Sequence, residues 1–266
     1  MAGTTPQSIL VGTGAEQRRI AYLREVGRGH GKPGLVWLCG LRSEMTSTKA
    51  TAVAEWAHAN GHDCLRFDCS GHGQSDGRFE DGTVTRWLEE TRAAFEQLTQ
   101  GPQVLVGSSM GGYMALLLLR SLVSDCAPSA ARIKGLVLIA PAWDLTRLMW
   151  ERFPTSAKRE IEEKGVYLRP SAYGDGPYPI TRAFIEDGNN HQIGSAPFNP
   201  GRPVHILHGL QDPDVPWEHT LDLVAHLSGD WTRVAAVPDG EHRLSRPQDI
   251  DLLLETIQHV CNATAP

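Results

Sequence analysis

The chain has 266 residues, 41% of them hydrophobic and 21% charged, with a formal net charge of −6. These figures describe an ordinary globular chain, long enough for a full core and, in an α/β architecture, commonly one domain. The negative balance and the lack of any basic run exclude nucleic acid and anionic membrane surfaces as main partners.

In chain order, strand and helix signals alternate. Residues 19–26 read as an early, partly polar strand. Residues 35–39 are a continuous apolar run ending at Gly40, suited to a buried strand. Residues 48–59 read as a helix closed by Asn60-Gly61, and 64–68 as the next strand, followed by a turn at 70–77. Residues 83–98 carry Val84, Trp87, Leu88, Phe95 and Leu98 on one broad helical face. Residues 103–106 are a short apolar strand, and 113–119 are suited to a buried helix. Further strands are expected at 136–140, 204–208 and 233–237, and helices at 218–227 and 250–260. This alternation predicts an α/β fold with a mostly parallel central sheet flanked by helices.

One interval breaks the rhythm. Residues 143–202 show helical patterns at 145–153, 157–163 and 181–186 but no clear buried strand, and a plain connection is rarely so long. Aromatic residues are frequent there, among them Trp143, Trp150, Tyr173, Tyr178 and Phe198. The expected division is a core of residues 1–142 and 203–266 with a cap at 143–202. The cap is placed over the carboxyl ends of the strands, where ligands sit in open α/β sheets.

The pattern Gly-x-Ser-x-Gly occurs twice, around Ser75 and around Ser109. A nucleophile elbow needs a strand running into a sharp turn and straight out into a helix. The copy at 107–111 has both flanks, whereas the copy at 73–77 leads into a polar loop. Ser109 is therefore the candidate nucleophile and Ser75 a turn residue. A serine hydroxyl needs a base, and the base needs an orienting group. In elbow hydrolases they follow the serine in the order acid, then histidine. His242 lies in the turn after the last expected strand and is the candidate base. Asp212 follows the strand at 204–208 and is the candidate acid, with Asp144 and Asp214 as competitors. The oxyanion donors are expected to be the backbone amides of Met110 and Leu41, with Arg42 as second choice to Leu41. His72 is read as a brace for its turn.

Other chemistry is thinly represented. There is no His-Glu-x-x-His, no Cys/His cluster with zinc spacing and no glycine-rich phosphate loop, so neither metal nor cofactor is expected. Serine at the elbow argues against dehalogenase or epoxide hydrolase chemistry, which needs a carboxylate there. The five cysteines form no Cys-x-x-Cys and no disulfide framework, which fits a reducing compartment. The N-terminus lacks a secretory signal, and the apolar stretch at 113–119 is far short of the roughly 18 residues of a span. The cytoplasm, without stable membrane insertion, is the expected location. Asn262-Ala263-Thr264 fits a glycosylation acceptor that a cytoplasmic chain would not use.

Together the segments 40–45, 67–77, 106–112, 208–217 and 239–245 resemble the serine α/β-hydrolases, and more narrowly the abhydrolase domain-containing protein 10 family. The resemblance runs from about Val36 to the closing helix. It implies an α/β-hydrolase fold and hydrolysis of acyl esters or thioesters, including palmitoyl groups on protein cysteines and acyl glucuronides. It carries over Ser109, Asp212 and His242 as a triad and makes Ser75 part of a structural turn. Two departures stand out: Cys39 occupies the position before the oxyanion glycine where many α/β-hydrolases have histidine, and the presequence of the mitochondrial member has no counterpart here. The expected substrate is a small acyl ester or thioester, or an acylated protein. A lipase or peptidase on the same fold is the alternative. A non-catalytic receptor is the reading from another class, opposed by the complete, ordered Ser–Asp–His set.

Overall fold

The structure, a computed structural model, describes residues 5–29, 31–171, 176–194 and 196–264. Its strands are β1 (Gln7–Val11), β2 (Arg18–Glu25), β3 (Gly34–Leu38), β4 (Cys64–Phe67), β5 (Gln103–Ser108), β6 (Ile133–Ile139), β7 (Val166–Arg169), β8 (Tyr178–Thr181), β9 (Val204–Gly209) and β10 (Thr232–Val237). Eight of them form one sheet in the order β1-β2-β4-β3-β5-β6-β9-β10. From β4 to β10 every neighbouring pair is parallel, and β1 and β2 run antiparallel at one edge. The expected α/β fold with a mostly parallel sheet is what forms.

The helices are α1 (Thr48–Ala59), α2 (Val84–Leu98), α3 (Met110–Ser124), α4 (Leu145–Arg152), α5 (Thr155–Lys164), α6 (Arg182–Gly188), α7 (Trp217–His226) and α8 (Pro247–Ala263). They cover both sheet faces, and the strands show why. Val36 and Leu38 of β3 pack with Leu105, Leu136 and Leu138 against α2 and α3. Leu35, Trp37, Val104, Val106, Val137 and Ile139 point the other way, toward α1 and α8. Side chains alternate faces with period two, so a strand buried on both sides reads as an unbroken apolar run. Helix α3 packs on β3, β5 and β6 and against α2, which accounts for its nearly continuous run of buried residues.

Start and stop signals have visible causes. The Thr83 hydroxyl accepts from the Arg86 amide at 3.2 Å and caps α2. Gly61, with φ +76°, turns the chain after α1. Cys39, Asp68 and Ala140 close the expected strands but lie just beyond the observed ones. Ala140 has already turned to φ +43°, where a ladder cannot continue. Strand β1 escapes sequence reading because most of its five residues face solvent. The antiparallel pair β7 and β8 escapes it for the same reason, being mostly half-exposed. Within 143–202 the expected helices form as α4, α5 and α6, whereas Tyr173 lies outside the described residues. No helix among the described residues is long and apolar enough to cross a membrane.

A buried ion pair ties the antiparallel edge to the helical layer. Arg18 opens β2 and meets Glu90 of α2, whose carboxylate also accepts from the Ser70 amide at 2.8 Å. Glu90 is fully buried and Arg18 nearly so. Burial pushes the Glu90 carboxyl up, and its bonds to Arg18 and Ser70 oppose that push. Arg18→Met is expected to strand the carboxylate and destabilise the fold by about 3–5 kcal/mol, read as a lower urea midpoint with an unchanged slope.

Candidate active site

The elbow is built by a close crossing. β5 ends at Ser108, Ser109 turns at φ 55° and ψ −117°, and α3 starts at Met110. A non-glycine residue in that conformation is strained and must be held by its surroundings. Here the Ser109 amide donates to the Ile139 carbonyl at 2.8 Å, and the Ser109 carbonyl accepts from the amides of Gly112, Tyr113 and Ala142. The flanking glycines are steric necessities. A Cβ on Gly107 would lie 2.3 Å from the Gly111 carbonyl oxygen, and one on Gly111 would lie 2.0 Å from that of Leu38. The Gly-x-Ser-x-Gly spacing therefore records how tightly helix, strand and neighbouring strand are packed.

The other two residues arrive on loops after parallel strands. Asp212 follows β9, and His242 follows β10. His242 Nε2 lies 3.0 Å from Ser109 Oγ, and His242 Nδ1 lies 2.7 Å from Asp212 Oδ2. Asp212 is fixed in turn, since its Oδ1 accepts from the amides of Asp214 at 2.8 Å and Val215 at 2.9 Å. Its side chain has no solvent exposure. A carboxylate that already accepts these amide bonds takes the proton of Nδ1 as a third donor. That tautomer leaves Nε2 bare and able to accept the Ser109 hydroxyl.

Behind Asp212 sits His208, fully buried on β9. Its Nε2 donates to the Val215 carbonyl at 3.1 Å, and the Thr220 hydroxyl donates to its Nδ1 at 2.9 Å. Burial pulls its pKa down, so the ring is neutral and stiffens the turn that presents Asp212. Sequence reading placed His208 merely within a strand, because a buried histidine in an apolar run carries no signal of its contacts.

Ser109 and His242 line a cavity of about 660 Å³. Leu145, Leu148, Met149 and Phe153, on α4 and just after it, supply apolar wall, and Tyr167 and Tyr178 come from β7 and β8. Leu41 also lines it, and the backbone there is close: a Cβ on Gly40 would lie 3.4 Å from Ser109 Cβ. Met110 opens α3, so its amide has no partner one turn earlier in the helix. Arg42, at φ 59°, lays its guanidinium 4.7 Å over the Tyr178 ring.

The remaining candidates are occupied elsewhere. Ser75 donates to the Asp68 carbonyl at 2.6 Å and accepts from the Ala21 amide at 2.8 Å, holding the 70–77 turn against β2. Asp144 accepts from the amides of Ile193 and Gly194, within the 143–202 segment. Asp214 pairs with Arg169 at 3.2 Å. His72 packs edge-on to Trp87, and burial lowers its pKa to about 4. Burial pushes the Cys39 thiol well up, leaving it protonated and unreactive despite its place next to Gly40.

A sequence model described as the alpha/beta hydrolase family matches residues 27–254. The chain belongs to that family. Over 239 residues it is 33% identical to palmitoyl-protein thioesterase ABHD10, mitochondrial, of Homo sapiens, covering 90% of this chain and 75% of that protein. The Mus musculus protein of the same name is 33% identical over 244 residues, 91% of this chain and 79% of that one. Among solved structures, alpha/beta hydrolase domain-containing protein 10 from mouse superposes with a TM-score of 0.84 at 31% identity, covering 97% of this chain and 99% of that chain. A crystal structure from Agrobacterium vitis S4 does so with 0.93 at 41% identity, covering 97% and 98%. Within the alpha/beta hydrolases, the chain belongs with ABHD10, and it is a hydrolase.

The crossing at the elbow is directly testable. Gly111→Ala is expected to destabilise the protein by about 1–3 kcal/mol or more, since the added methyl meets backbone and not a movable side chain. Thermal unfolding of the purified variant reads that loss.

Proposed function

We propose that the chain is a serine hydrolase that cleaves acyl thioesters or carboxylic esters through a covalent acyl-serine intermediate. The observation that carries the proposal is the continuous line of contacts from Asp212 through His242 to the Ser109 hydroxyl. Ser109 Oγ attacks the acyl carbonyl while His242 Nε2 takes its proton. The tetrahedral oxyanion is held by the amides of Leu41 and Met110. The intermediate collapses, and the leaving thiol or alcohol departs with the proton from His242. A water then attacks the acyl-serine, giving its proton to His242. The acid leaves and Ser109 regains its hydrogen. Asp212 holds the imidazole tautomer and stabilises the imidazolium. No step calls on a cofactor.

The ABHD10 relatives are named as palmitoyl-protein thioesterases, which supports including acylated protein cysteines among the substrates we propose. Small acyl esters and acyl glucuronides belong to the same class of activated acyl groups. The 143–202 segment is the proposed cap, because α4 and the β7–β8 pair face Ser109 across the cavity. The cytoplasm is the proposed compartment, supported by five cysteines that are all free.

Two variants test the assignment. Ser109→Ala is expected to lower p-nitrophenyl ester hydrolysis by at least about 10³-fold and to abolish covalent fluorophosphonate labelling. Ser75→Ala is expected to label like the parent. Labelling that survives in Ser109→Ala and vanishes in Ser75→Ala would reverse the assignment of the two motifs.

A further inference from the structure

We propose that Lys49 is a positioning residue for the reaction: its ammonium fastens the loop that carries His242 to the first turn of α1. The proposal rests on the role given to His242 above. Lys49 Nζ donates to the Arg243 carbonyl and lies 3.3 Å from Ser245 Oγ. The Ser245 hydroxyl donates to the same carbonyl at 2.9 Å. Arg243 is the residue after His242, so this carbonyl, in the Arg243–Leu244 peptide, lies one residue past the proposed base. Lys49, Arg243 and Ser245 line the same cavity as Ser109 and His242.

The location is a poor one for a lysine chosen for stability. The side chain is 9% exposed. It sits in the first turn of α1, where the helix dipole disfavours a cation. Among the described residues no carboxylate lies within 4.0 Å of it. Burial pulls its pKa down from 10.5 to about 8, the nearby charge of Arg243 adds to that, and Asp249 and Glu241 oppose it. Between those two pH values the unfolded chain binds more protons than the folded one, so this group makes the fold less stable at neutral pH than in alkali. A buried cation that weakens the fold while gripping the backbone beside the base is better explained by placement than by packing.

The loop needs such a grip. Leu244, one residue past the gripped carbonyl, has φ +40°, a left-handed conformation that branched side chains avoid. Its side chain is buried in the layer of Trp37, Met45 and Ala50. The loop is thus anchored at two points, an apolar plug at 244 and a cationic clamp at 243. Plug and clamp together hold the two residues that follow His242, and so limit how far the loop that carries it can shift away from Ser109. A carbonyl held by an ammonium is bound about twice as firmly as one held by a neutral amine. The clamp should therefore slacken as Lys49 loses its proton above about pH 8.

The test measures kcat and KM for a p-nitrophenyl ester from about pH 6 to about pH 10, with thermal unfolding alongside, in the parent, Lys49→Met, Lys49→Gln and Ser109→Ala. Lys49→Met is expected to keep its melting temperature, to lose about 10–100-fold in kcat at neutral pH with KM changed less than about threefold, and to lack the parent's fall in kcat above about pH 8. Lys49→Gln, which keeps a neutral donor, should fall between the two and serves as the readout if the methionine variant does not fold. A kcat within about twofold of the parent in both lysine variants overturns the clamp, as does a loss confined to KM, which would make Lys49 a substrate contact. Ser109→Ala separates the two ideas. If it is inactive while the lysine variants are normal, the clamp alone is wrong. If it retains activity, the role of His242 falls with it.

Discussion

Everything at the site depends on one strained turn. Ser109 holds φ 55° where α3 passes so close to β5 and β3 that only glycine fits at 107 and 111. The hydrogen bond from the Ser109 amide to the Ile139 carbonyl and the three bonds to the Ser109 carbonyl keep the turn from relaxing. The energy for that strain comes from burial around it. The leucine-rich face of α3 and the strands β3, β5 and β6 exclude water on all sides, and dense apolar packing resists the local rearrangement that would release the strain.

Around that fixed point the parallel sheet does the gathering. β5, β9 and β10 all end at the same edge, so the residues that follow them enter one region whatever their separation in sequence. His242 lies 133 positions from Ser109, yet their side chains meet at 3.0 Å. Each partner is held from behind. Asp212 is held by two amides and backed by neutral His208, and His242 is held by Asp212 and by the loop that Lys49 grips. Placement of this quality matters to the proposed mechanism, in which a proton moves between Oγ and Nε2 as the new bond forms and small displacements are expensive in rate.

The charge distribution separates the proposed base from the other titratable groups. Burial drives His72 and His219 down to about 4 and Cys39 well up, so these groups stay neutral at physiological pH and their chemistry is silenced. His242 differs because it alone among these has a buried carboxylate on one nitrogen and a hydroxyl on the other. The wall of the cavity combines the apolar face of α4 with tyrosines and arginines from the segment between β6 and β9. An acyl chain and a polar leaving group can thus find different surroundings within one space.

The sequence by itself determined the α/β alternation, and it singled out Ser109 over Ser75 as the candidate nucleophile with Asp212 and His242 as its candidate partners in that order. These were legible because burial on both faces writes continuous apolar runs, and because an elbow needs a strand before it and a helix after it. It was also enough to set Asp212 ahead of Asp144 and Asp214, since the acid follows a strand end and precedes the histidine. Only the tertiary structure decided what those residues touch. β1 and the β7–β8 pair stayed hidden because half-exposed strands have no apolar period. Lys49 and His208 stayed hidden because a lysine early in a helix and a histidine in a strand look alike whether they are idle or essential. Their meaning lies in contacts with Arg243 and Val215, and contact between distant segments is fixed by sheet order and packing, which no local pattern encodes.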